Sequence, residues 1–68
     1  MKKYIYISGA DNTEFWNFSH YLEGRGKKIG FRWSGPYAVT TYKSPFGVTW
    51  EKWDDADNGI PYSIERVF

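Results

Sequence analysis

The chain is 68 residues long, contains no cysteine and carries a net charge of +1 at pH 7. That length allows a single domain spanning residues 1–68 with a modest core, and the missing cysteines exclude a disulfide staple and a thiolate metal site. Four Trp, six Tyr and five Phe make up 22% of the residues, so the core can be dense, yet a domain this small cannot bury all of these rings completely.

Met-Lys-Lys at the start has the charge of a signal-peptide n-region, but YIYISGADN turns polar after four residues and supplies no apolar h-region. No stretch approaches the roughly 20 apolar residues of a membrane span. The expectation is a soluble cytoplasmic protein with no membrane partner.

Lys2 to Ser8 alternates and is rich in Ile and Tyr, which predicts a strand ending at Gly9. Both faces of that strand are apolar. The helix that follows directly is expected to cover Ile5 and Ile7, leaving Tyr4 and Tyr6 on the open face, where a hydroxyl tolerates water. Asp11 or Asn12 can cap the helix, and Asp11 with Glu14 has capping-box spacing. The helix is predicted over Thr13 to Glu23. Phe15, Phe18 and Leu22 form its apolar stripe, with Ser19 between them and Trp16 and Tyr21 at the flanks. Asn17 and His20 point away, and Gly24 and Gly26 supply the stop.

Lys28 to Trp33 is a second strand, with Ile29, Phe31 and Trp33 on one face and Lys28, Gly30 and Arg32 on the other. Ser34-Gly35-Pro36 turns the chain into a third strand, Tyr37 to Tyr42, completing a hairpin. Ser44-Pro45-Phe46-Gly47 is a further turn, and Val48 to Trp53 a fourth strand. Asp54 to Pro61 is read as a loop with room for one helical turn at 54–57. Tyr62 to Phe68 is the last strand, with Tyr62 and Ile64 on one face. The order β-α-β-β-β-β predicts an α+β domain: a small single-layer, mostly antiparallel sheet of four to five strands with one helix packed on one face.

Ile5-Tyr6-Ile7 followed by Thr13-Glu14 resembles the opening of an RNA-recognition motif, whose first strand exposes an aromatic that stacks on a base. KKIGFRW (Lys28, Gly30, Phe31, Trp33) is a loose echo of that family's second signature, but it comes directly after the first helix. The family's second helix has no room in the chain, so no membership is assigned. The physical idea stands by itself: Tyr4 and Tyr6 with Arg25, Lys27, Lys28 and Arg32 are the candidate single-stranded nucleic-acid surface. The plainer reading of the same rings is cross-strand pairing that stabilises the sheet.

The charges are unevenly spread. Residues 1–34 carry six Lys/Arg and three Asp/Glu, and residues 35–68 carry three and five. RGKKIGFR is basic and EKWDDAD is acidic, which predicts a dipolar domain. In WEKWDD, Trp50 and Trp53 face opposite sides of a strand, so one indole lies away from the main core. Trp50, Trp53, Asp54, Asp55 and Asp57 are the candidate protein-binding residues, with an exposed Trp among carboxylates suited to a basic, partly apolar pocket.

Other chemistry finds little footing. Asp54, Asn58, Gly59 and Glu65 fall at calcium-loop positions, but Ala56 occupies a ligand position and no helices flank the segment, so a turn is the preferred reading. His20 stands alone, GRGKK follows a helix rather than a strand, and no carboxylate pair is singled out. The chain is therefore expected to be neither an enzyme nor a metal or cofactor protein. The preferred function is a small non-enzymatic binding protein acting on a larger protein or nucleoprotein complex. Its general character resembles small inhibitors encoded by phages and mobile elements, which block host transcription or CRISPR interference sterically. There the acidic residues would stand in for phosphates. Single-stranded nucleic-acid binding is the alternative, and a homodimer that hides the second aromatic face is open beside a monomer.

Overall fold

Three tight turns organise the sheet, and each depends on glycine or on a short polar side chain. In the computed structural model, which describes residues 3–67, Gly35 sits at φ 61° as the first residue of a two-residue turn. A type II′ hairpin needs positive φ at that position. It joins β2 (Lys27–Ser34) to β3 (Tyr37–Lys43). Gly47, at φ 81°, closes the turn from β3 into β4 (Thr49–Asp55), where the Ser44 N–H donates to the Val48 carbonyl at 2.8 Å. The segment after Trp53 is not a long loop. β4 continues through Asp55, and only four residues separate it from β5 (Ile60–Arg66). The Asp55 carboxylate holds that turn by accepting from the backbone N–H groups of Asp57 and Asn58 and from the Asn58 side chain.

The five strands form one antiparallel sheet in the order β1-β5-β4-β3-β2, with β1 (Lys3–Ile5) and β2 at its edges. One helix, α1 (Thr13–Arg25), crosses one face. The α+β architecture matches the expectation from element order. Lys2 and Phe68, assigned above to the outer ends of the first and last strands, lie outside the described residues.

β1 is shorter than predicted. Beyond it the Tyr6 N–H still donates to the Tyr62 carbonyl at 3.1 Å. The Asn12 side chain then takes the place of a neighbouring strand, accepting from the Ile7 N–H at 2.9 Å and donating to the Ile7 carbonyl at 2.8 Å. Asn12 is the N-cap residue by position but makes no side-chain cap bond; Asp11 instead accepts from the Thr13 N–H and hydroxyl.

The helix covers the tyrosine side of β1, opposite to the expectation. Tyr4 stacks on Phe18 with ring centroids 4.5 Å apart, and Tyr6 meets Phe15 edge-on at 5.7 Å. Ile5 and Ile7 are left 52% and 59% exposed. The larger rings gain more from contact with a Phe-rich helix than isoleucine would, and at a sheet margin their hydroxyls can still reach water. Phe15, Leu22, Trp50 and Ile64 form the buried centre, with Phe18, Tyr21, Tyr42 and Val48 packed around it.

A candidate docking face and a basic edge

Residues paired across antiparallel strands project to the same side of a sheet. Ile5, Ser63, Trp53, Val39 and Arg32 are successive partners across all five strands. This row lies on the side turned away from the helix, one residue out of phase with Tyr4 and Ile64.

The row is bridged from above. The Arg32 guanidinium on β2 lies 5.4 Å from the Trp53 ring centroid on β4, spanning the intervening strand. Val39 sits between them on β3 and is 0% exposed, although it belongs to no helix-side cluster. Glu51 completes the bridge. It pairs with Arg32 at 3.0 Å and accepts from the Trp53 indole N–H at 3.4 Å. At the other margin Lys3 pairs with Glu65 at 3.8 Å.

Tyr62 joins this face through a β-bulge. Trp53 pairs with Ser63 and Asp54 with Pro61, so Tyr62 is an extra residue in β5. Its ring lies 4.8 Å from Tyr37, which in turn meets Trp53 at 5.7 Å. Strict alternation would place Tyr62 beside Ile64, and the bulge defeats that prediction. The result is an open face of Tyr62, Tyr37 and Trp53 next to exposed Ile5.

The acidic candidates do not gather into one surface. Asp54 lies on the helix side, where Lys52 bridges it at 3.7 Å and Glu23 at 3.3 Å. Burial pushes its carboxyl above the ordinary range, assisted by Glu23 and opposed by Lys52. The same surroundings raise the Tyr42 phenol, again mainly through burial. Asp55 is lowered, chiefly by its bond to the Asn58 side chain, and is committed to the turn. Asp57 remains exposed beside it. Trp50 is in the core and Trp53 on the opposite face, as the spacing predicted. The Glu23–Lys52–Asp54 cluster was not anticipated; its members come from the helix and from β4, and no local pattern links them.

Of the basic candidates, Arg25, Lys27 and Lys28 are brought together, apart from Tyr4 and Tyr6, while Arg32 lies on the open face against Trp53 and Glu51. A second bulge lies between Lys28 and Gly30, making Ile29 the extra residue. It carries Lys28 over to the Phe31 side, with the ammonium 5.8 Å from the ring centroid, instead of leaving it on the Arg32 side. Lys27 stands directly opposite Lys43, and Arg25 ends the helix just before them. Further along the same edge, Phe31 and Trp33 meet edge-to-face at 5.5 Å, and Trp33 is 63% exposed. These two rings, not the tyrosines of β1, are the aromatics adjacent to the basic stretch.

Among the described residues, no group of three His, Cys, Asp or Glu side chains is placed to hold a metal ion. No helix among them is long and apolar enough to cross a membrane. Comparison with protein-family models, curated proteins and solved structures finds no match to this chain.

Proposed function

We propose that this chain is a small non-enzymatic binding protein that docks on a larger protein or nucleoprotein complex and acts by occupying its surface, as a steric inhibitor does. The observation that carries this reading is the composition of the face away from the helix. Trp53, Tyr37, Tyr62 and Ile5 supply ring and aliphatic area there, while Arg32–Glu51 and Lys3–Glu65 neutralise their charges within the face. Trp, Tyr and Arg are the residues that most often dominate protein-interface energy. The Arg32–Glu51 and Lys3–Glu65 ions beside the Trp53–Tyr37–Tyr62 group already have partners, so another protein can cover that group with little cost from stranded charge. The docking centre is thus the Trp53–Tyr37–Tyr62 group, and Asp57 with its turn lies at the rim.

The test is retention of a partner from a lysate of the native host on the immobilised chain, compared with an Ile5→Glu, Tyr62→Glu variant. Both positions are exposed, so the variant is expected to fold. One protein retained by the parent and lost by the variant supports the reading. Equal retention by both places the contact elsewhere and contradicts it.

A further inference from the structure

The basic edge has a different character from the open face. Arg25, Lys27, Lys28 and Lys43 are all exposed, and none has a carboxylate within ion-pair distance among the described residues. Lys27 and Lys43 are direct cross-strand partners, an arrangement of like charges that weakens a sheet unless an anion relieves it. Exposed Phe31 and Trp33 continue the same strand. From Lys27 to Trp33 an extended strand covers about 20 Å.

We infer that this edge of β2 holds a short stretch of single-stranded nucleic acid. Phosphates sit against Arg25, Lys27, Lys28 and Lys43, and bases stack on Phe31 and Trp33. Lys27 and Lys43 project to the side away from the helix and Lys28, Phe31 and Trp33 to the helix side, so the nucleic acid wraps the β2 edge; none of Trp53, Tyr37, Tyr62 or Ile5 takes part. Lysines on an edge strand also serve to repel other strands, but exposed Phe31 and Trp33 would undo that protection. They gain a purpose as stacking platforms, since every base presents a flat face. An added protein strand suits this edge less well. The bulge at Ile29 interrupts the regular ladder such a strand would need, and self-pairing would bring Lys27, Lys28 and Arg32 near their own copies. The length available fits the lower end of single-strand site sizes, about four nucleotides.

The experiment is fluorescence anisotropy with labelled dT and rU homopolymers of twelve nucleotides, at several salt concentrations, with poly-glutamate as competitor. Binding should weaken with salt with a log–log slope of about −2 to −3, as three or four phosphate contacts require. A Lys27→Gln, Lys43→Gln variant should lose about tenfold in affinity at low salt. Phe31→Ala and Trp33→Ala should each weaken binding by about fivefold or more, and Trp33 fluorescence should be quenched in the parent. All four side chains are exposed, so circular dichroism of the variants should match the parent. No binding up to about 100 µM at low salt overturns the proposal. Binding insensitive to loss of the rings also overturns it, because it leaves only charge attraction. So does displacement by poly-glutamate at equal charge concentration, which identifies an acidic protein segment as the ligand instead.

Discussion

The Arg32 guanidinium reaches across β3 to lie 5.4 Å from the centre of the Trp53 ring, and Val39 beneath the pair is 0% exposed. Val39 is thereby sealed without help from the helix, and Ser63 in the same row is buried as well. Arg32→Ala should uncover Val39 and remove both the ring contact and the Glu51 ion pair. The expected loss is about 1 kcal/mol, or about 4–8 °C in melting temperature. Trp53 emission should shift to the red. Arg32→Lys should recover part of the loss, because the stem still covers Val39. An unchanged melting temperature in Arg32→Ala would show that the bridge contributes nothing.

Gly26 and Gly24 should respond in opposite directions to alanine. A Cβ on Gly26 would come within 2.7 Å of the Leu22 carbonyl oxygen and 3.1 Å of that of Lys43. The helix end and β3 meet there backbone to backbone, so Gly26→Ala should cost about 1–3 kcal/mol. Beyond its chain neighbours and the helix's own backbone, nothing among the described residues lies within 4 Å of a Cβ on Gly24, inside the last helical turn. Gly24→Ala should therefore add up to about 1 kcal/mol. Urea titration of the two variants side by side is the check.

Ser19, on the buried face of the helix, is fully buried, and among the described residues its hydroxyl has no hydrogen-bond partner. Its size suits the close approach of helix to sheet, but its polarity does not. Ser19→Ala keeps the size and should hold or raise stability, by up to about 1 kcal/mol. A loss of that magnitude in thermal melts would show that the hydroxyl is bonded in solution.

The acidic groups predict opposing pH effects. Asp55 is held below the ordinary carboxylate range, chiefly by the Asn58 side chain, and Asp11 chiefly by the Thr13 hydroxyl. The stability they contribute is present above their unfolded values and is lost as pH falls through the folded ones. Asp54 is raised, mainly by burial, so its contribution is full below its unfolded value and is lost as pH rises through the folded one. Asp54→Asn should therefore gain on the parent as pH rises through that window. The deficit of Asp55→Asn should shrink as pH falls. Melting temperatures measured across the carboxylate range test both signs.

Element order, the helix stripe and the opposed tryptophans were legible in the sequence, because each depends on periodicity along one segment. Trp50 and Trp53, three apart in a strand, had to take opposite faces. The errors came where a single residue shifts the phase. The bulges at Ile29 and Tyr62 move Lys28 and Tyr62 to faces that alternation denies them, and no residue type announces either bulge. The choice between Tyr4/Tyr6 and Ile5/Ile7 could not be made from β1 alone, since both sets are apolar. It is decided by Phe15 and Phe18 on the helix, which give the tyrosine rings aromatic partners. The basic edge was legible as a charge run, whereas its neighbouring rings depended on the bulge beside them.

The docking face exists only on the side of the sheet that the helix leaves bare. Paramagnetic relaxation of side-chain protons by an inert soluble probe measures this directly. Strong relaxation of the Ile5, Ile7 and Tyr62 protons is expected, with Ile64 and Val39 shielded. Shielded Ile5 and Ile7 methyls together with strongly relaxed Tyr4 and Tyr6 rings would place the helix on the other side and contradict the assignment of the docking face.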